Sequence, residues 1–316
     1  MNILVISKIS IPAKDRTLPA WEYLRANGHT VIVDHPEVAD SPSKGKFKPD
    51  AMISMGVTVM DETFQALERF SGVPLFAYNW DCYEWVWEPG MGGKKQAHHE
   101  MRGVEYDYVR YGELLRRATE VWVPSECTGR RTTQWWGIEH WRVILSAIPW
   151  WESKAVADRG YALCTLRHIP DPWDTVFEEC CEELAIPYRR TDHQLSRAEY
   201  EDAVAGCRFL VNHYYEASTG GLTLLEGYYH GKPVLCSDSE WNGARDYLGQ
   251  RARYFRYGDR IDFKLQLLDL FHHPERAQRE WGAPGSLERR KAWIRERFSD
   301  QRMVDDMMER IHANQG

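Results

Sequence analysis

Short runs that are apolar at nearly every position recur along the first half of the chain. They lie at 3–7 (ILVIS), 30–34 (TVIVD), 51–55 (AMISM), 74–78 (PLFAY), 121–124 (VWVP) and 142–145 (RVIL). An unbroken apolar run, as opposed to an alternating one, marks a strand covered on both faces, as in a parallel sheet. The segments between the runs carry helical spacing. Residues 17–27 stop at Gly28, and residues 60–70 stop at Gly72 with Pro74 beyond; both are ordinary helix terminators. Residues 105–118 place Tyr108, Tyr111, Leu114, Leu115 and Ala118 on one face.

The second half repeats the scheme. A strand at 161–165 precedes a helix at 174–185, and a weaker strand follows at 188–191. Ser196 and Glu199 have capping-box spacing and open the next helix. Strands at 208–212, 233–237 and 253–257 and a helical tail over 259–314 complete the chain. Strands alternating with helices predict an α/β chain of two Rossmann-like domains with parallel sheets facing a central cleft. The expected domains are 1–150 and 151–316, joined near 148–160, with the last helix packing back on the first domain. The polar stretch 88–104 reads as a solvent-exposed insertion or a lid.

Composition narrows the class. Of 316 residues, 43% are hydrophobic and 28% charged, the balance of a globular protein, and the net charge of −7 argues against a general binder of nucleic acid or anionic membrane. The 14 Trp residues suit core packing or an aromatic acceptor cleft. The 7 Cys show no CxxC spacing, so a reduced, cytoplasmic protein with no zinc site is expected, Cys180 and Cys181 serving as small core residues. No apolar run reaches the roughly 18 residues needed to span a bilayer, and the first strand starts too early to leave room for a signal peptide.

The chemistry concentrates at 214–238, YYEASTGGLTLLEGYYHGKPVLCSD. A strand ending at Asn212 leads through a loop to Gly220 and Gly221, then to a helix over 222–230. Ligands of open α/β sheets bind outside the carboxyl ends of the strands. A helix start there presents unpaired N–H groups to an anion, and glycines allow close backbone approach. Thr223 adds a hydroxyl donor. A carboxylate repels phosphate, so Glu226, pointing toward the cleft or toward solvent, suits sugar hydroxyls instead. Diphosphate at the helix start and ribose at Glu226 describe a nucleotide-sugar; the residues fit equally a glycine-rich helix entry followed by a surface Glu.

This stretch resembles the donor-binding motif of GT-B glycosyltransferases, especially the retaining family 4 type. That motif runs from a Glu through a Gly-rich turn to a second Glu and then Gly-x-Pro-Val. The resemblance implies that Glu226 holds the donor ribose. It implies that Gly220, Gly221, Leu222 and Thr223 form the turn that reaches the diphosphate and sugar. The family's first Glu would fall on Ser218, whereas the nearest Glu here is Glu216. Either the turn is longer by two residues and Glu216 serves, or that contact is lost. Residues 116–150 and 161–180 are similar to the family's last N-terminal segment and the start of its donor domain. Arg167 matches an Arg that neutralises the diphosphate; the accompanying Lys has only His168 as a weak counterpart. YNWDCYEW resembles the segment with a His–Asp pair facing the donor, with Trp80 in the His position and Asp81 in the Asp position. Lys8 or Arg16 stands in for the missing glycine pair of the first loop.

The implied activity is retaining, metal-independent transfer from a nucleoside-diphosphate sugar, with Asp81, Glu216 and Arg167 as catalytic residues, no cofactor and no metal site. Asp81 would act as base in an inverting variant. The alternatives are a GT-B nucleotide-sugar epimerase, which would draw on Glu216 and His213 as acid and base, and a non-catalytic nucleotide-sugar-binding protein. The acceptor stays open among a sugar, a protein, a lipid and a modified DNA base. Lys94, Lys95, Arg102, Arg130, Arg131, Trp135 and Trp136 form either a surface for it or a solvated face.

Overall fold

The computed structural model describes residues 1–7, 18–34, 47–79, 108–148, 156–165, 173–191, 195–215, 222–275 and 286–315. The chain divides into two compact units, residues 1–147 with 298–316, and residues 148–297.

The first unit holds a six-stranded parallel sheet in the order β2-β1-β3-β4-β5-β6. Its strands are β1 (Asn2–Ile6), β2 (Thr30–Asp34), β3 (Ala51–Met55), β4 (Leu75–Tyr78), β5 (Glu120–Val123) and β6 (Trp141–Val143). Every residue of β3, β4 and β5 is buried, which is why those runs are apolar throughout. Successive residues face opposite sides of a strand. Ile3, Val5, Ile53, Phe76 and Trp122 therefore join one core layer, while Leu4, Met52, Ala77, Val121 and Val123 join the other. The first layer is covered by α1 (Leu18–Ala26) and by the last helix, Asp300–Ala313, through Trp21, Leu24, Met303, Val304, Met307 and Ile311. The second is covered by α2 (Met60–Arg69), α3 (Tyr108–Arg117) and α4 (Glu126–Trp136). β6 is shorter than the predicted 142–145, because it is an edge strand with no fully buried residue.

The second unit holds a five-stranded parallel sheet in the order β11-β10-β9-β7-β8. Its strands are β7 (Ala162–Thr165), β8 (Tyr188–Thr191), β9 (Phe209–Asn212), β10 (Val234–Ser237) and β11 (Arg253–Phe255). Helices α5 (Val176–Glu183), α6 (Arg197–Gly206), α7 (Leu222–Tyr229) and α8 (Ala244–Leu248) alternate with them. The predicted tail is helical. Among the described residues it includes α9 (Arg260–His272), α10 (Ser286–Arg297) and α11 (Asp300–Ala313), with the Ser299 hydroxyl capping the last. α5 and α9 pack on one face through Phe177, Cys180, Cys181, Phe263 and Leu267. α7 lies against β9, close enough that a Cβ on Gly227 would stand 2.6 Å from a Leu210 methyl.

Both strand orders, 2-1-3-4-5 within each unit with β6 added in the first, place a topological switch between the first and third strands. Ligands of doubly wound sheets bind at that switch, on the carboxyl edge. In the second unit it falls between β7 and β9.

A partly buried ion pair ties α11 to its sheet. Arg310 donates Nε–H to Glu120 Oε1 at 2.9 Å and Nη2–H to Oε2, and Trp122 Nε1–H donates to Oε1 at 3.0 Å. Burial pushes the Glu120 carboxyl up, but the bonds from Arg310 and Trp122 outweigh it and hold the group below its ordinary 4.5. The folded state thus keeps the carboxylate ionised where the unfolded chain would protonate it. The contribution is complete above pH 4.5 and is lost as pH falls below that value. Replacing Arg310 by Met leaves a buried carboxylate without its cation. Denaturant titration at pH 7 is expected to show a loss of about 2–3 kcal/mol, and the variant is expected to lose less further stability below pH 4.5 than the wild type.

Candidate functional site

The loop after β9 is braced before it reaches the glycine pair. Ser237 Oγ donates to the Tyr214 carbonyl at 2.5 Å, and Asn242 Nδ2 donates to Ser237 Oγ at 2.8 Å and to the same carbonyl at 3.3 Å. Ser239 Oγ donates to the Tyr215 carbonyl, and Asn242 Oδ1 accepts from Ala244 N at 3.0 Å. Side chains from the loop after β10 therefore satisfy the backbone of the loop after β9, as buried polar groups require.

α7 begins at Leu222 as the spacing predicted, with Leu222 and Thr223 half-buried in its first turn. Glu226, one turn further, is 2% exposed. It turns toward α6, not toward solvent. Tyr200 OH donates to Oε2, and Arg197 Nη1 donates to Oε1 at 3.4 Å. The Arg197 Nε–H also donates to Glu201 at 2.7 Å, and its guanidinium lies 5.4 Å from the Tyr200 ring centre. A carboxylate taken out of water needs such donors. Sequence reasoning missed Arg197 and Tyr200 as partners of Glu226. Its one usable signal was the Ser196–Glu199 capping box, which the structure contains and which fixes the turn carrying both residues.

A second polar group lies near the ends of β7, β8 and β9. Arg190 pairs with Asp174 and Glu178 and donates to Tyr214 OH at 3.4 Å. His213 is fully buried, 4.4 Å from the Tyr214 ring and stacked on Phe177 and Phe263, with Nδ1 3.5 Å from Cys164 Sγ. Burial first, then the nearby Arg190 charge, lowers its pKa to about 4, and burial pushes the Cys164 thiol up to about 12. A neutral imidazole inside an aromatic stack does not serve the acid–base role that an epimerase would give it.

Asp81, Glu216, Arg167, Gly220 and Gly221 lie outside the described residues, as do Lys8, Arg16, Trp80, Lys94, Lys95, Arg102, His168 and Ser218. The strand leading to Asp81 is anchored at Asn79. Its Nδ2 donates to Thr132 Oγ1 at 3.0 Å, and Tyr111 OH donates to its Oδ1 at 3.1 Å. The basic and aromatic residues of α4 divide. Arg130 is exposed, whereas Arg131 is 1% exposed against Trp135 and Trp136 packs edge-on against Tyr111. Arg131 and Trp136 thus belong to the interior of the first unit, not to an acceptor surface. A cavity of about 990 Å³ in that unit is lined by Met1, Asp50, Pro74 and Thr119, which precede β1, β3, β4 and β5. It lies at the amino edge of the sheet, opposite the expected ligand edge. Among the described residues no helix is long and apolar enough to cross a membrane, and no group of His, Cys, Asp or Glu is arranged to hold a metal ion.

No protein-family model matches the sequence, and no curated protein matches it by sequence. By fold the chain is similar to sucrose-phosphate synthase from Thermosynechococcus elongatus, with a TM-score of 0.69 at 12% identity over 99% of this chain and 98% of that one. It is similar to a glycosyltransferase from Rickettsia africae at 0.65 and 12%, over 99% and 98% of the chains. Anabaena HepE, solved with UDP and glucose, matches at 0.64 and 11%, over 99% and 100%. The likeness is one of fold, and the fold is that of GT-B glycosyltransferases.

The buried imidazole has a stability signature. The unfolded chain takes up a proton near pH 6.5, the folded protein only near pH 4. Stability therefore falls as pH drops from 6.5 to about 4, by up to about 3 kcal/mol. His213→Phe keeps the stack and is expected to flatten that limb in denaturant titrations; an unchanged limb would assign it to another group.

Proposed function

We infer that the chain is a glycosyltransferase that takes a sugar from a nucleoside-diphosphate sugar and holds that donor in the second unit. One observation carries the reading: a buried carboxylate, Glu226, one turn inside the helix that follows β9, beside the switch of a doubly wound sheet. The shared fold supports it, since HepE has been solved with UDP and glucose and with UDP-glucose.

In this reading Glu226 accepts the ribose hydroxyls. Backbone N–H groups from Gly220 to Thr223 meet the diphosphate, Arg167 adds a cation, Glu216 lies over the transferred sugar and Asp81 faces the reacting centre. The acceptor oxygen bonds to the anomeric carbon as the bond from that carbon to the diphosphate oxygen breaks. On a single face of the sugar, the departing phosphate oxygen takes the acceptor's proton. This course retains configuration and asks for no dedicated base. Charge developing on the diphosphate is met by donors already in place, so transfer proceeds without a divalent metal.

The test separates the two ends of the donor. Wild type is titrated calorimetrically with UDP, ADP and GDP, and turnover is assayed with the corresponding glucose donors in chelator. Glu226→Gln is expected to weaken diphosphate binding about tenfold or more, the loss of a charge-assisted hydrogen bond worth about 1.5–3 kcal/mol. Glu216→Ala is expected to leave diphosphate affinity unchanged while lowering turnover. A folded wild type that binds none of the three diphosphates would sink the donor reading. Turnover that requires Mg²⁺ or Mn²⁺ would sink its metal-independent form.

A further inference from the structure

Two donors that reach Glu226 come from one turn of α6. Arg197 and Tyr200 are three residues apart and so share a helix side. Tyr200 takes Oε2 and Arg197 takes Oε1. A donor to each oxygen restrains the plane of the carboxylate as well as its position. Arg197 is itself restrained, by Glu201 at 2.7 Å and by the Tyr200 ring at 5.4 Å. The group also lies close to the carboxyl edge of the sheet. α6 follows β8 and α7 follows β9, so both helices start at that edge. Tyr200 is the fourth residue of α6 and Glu226 the fifth of α7, within about 6 Å of the helix starts at 1.5 Å per residue.

From this geometry we propose that Tyr200, assisted by Arg197, is a positioning residue that sets Glu226 for the vicinal diol of a ribose, and so makes the site select ribonucleotide over 2′-deoxyribonucleotide donors. The proposal rests on the donor reading above. A residue that only filled space between α6 and α7 would be apolar, whereas here a phenol and a guanidinium meet a carboxylate that is 2% exposed. Two hydroxyls on adjacent carbons need both carboxylate oxygens at a fixed angle. A carboxylate free to rotate keeps its charge but loses one of the two contacts. Loss of the clamp therefore weakens the ribo form and leaves the 2′-deoxy form nearly untouched, because the latter never made the second contact.

The experiment uses the full chain and calorimetric titration with UDP, ADP and GDP, each paired with its 2′-deoxy form. Wild type is expected to prefer the ribo form of its best ligand by about tenfold or more, since a site built to bind a hydroxyl rejects the analogue lacking it. In Tyr200→Phe the ribo form is expected to weaken by about tenfold while the deoxy form changes by less than about twofold, so that the ratio collapses. Arg197→Gln, at a half-exposed side chain, provides a second variant with a smaller shift of the same kind, about threefold. Equal weakening of both forms, or an unchanged ratio in both variants with intact melting curves, overturns the assignment and leaves the donor reading standing. A wild type that binds one of the diphosphates without preferring its ribo form also overturns the assignment. A wild type that binds none of the six nucleotides overturns the donor reading, and the assignment falls with it.

Discussion

Parallel strands cannot be joined by tight turns. Each must be followed by a connection that runs back along the sheet, so the carboxyl ends of all strands in a sheet share one edge. That constraint organises both units here. It buries the strands under helices on two faces, makes their sequences apolar throughout and leaves one edge where polar loops can gather. Asn79, the loop after β9 and the starts of α6 and α7 all lie on such edges because no other part of a doubly wound sheet is open to them.

Glu120 and Glu226, both buried, show what the same chemistry does in different places. Glu120 begins β5 and takes Arg310 from a helix that closes the core, so its ion pair fastens one element to another. Glu226 stands near the ligand edge and is held by a phenol and a guanidinium from a neighbouring helix. α7 itself has little freedom, since Gly227 already brings its backbone against Leu210.

Local signals were legible in the sequence, and distant ones were not. The unbroken apolar runs located the interior strands, and Gly28, the Ser196–Glu199 box and the start of α7 were readable because each depends on residues within one turn. β6 was placed one residue late and too long, since an edge strand has only one neighbour to enforce its length. The tail was read as helical without bounds for its separate helices. The orientation of Glu226 was unreadable for a different reason. Its partners are 26 and 29 residues away, across a strand and a loop, and nothing in their spacing announces the contact. Arg131 misled for a similar reason: an arginine in a polar-looking helix reads as surface until the fold covers it.

The first unit is discontinuous in sequence, with residues 148–297 set between its two parts. A ribosome delivers the chain in order. The layer formed by Trp21, Leu24 and Ile53 must wait for Met303, Val304, Met307 and Ile311, which emerge after the whole second unit. The second unit has all of its residues in hand before the first does. During synthesis the earlier half of the chain therefore stands with one apolar face uncovered until residues made after the second unit close it.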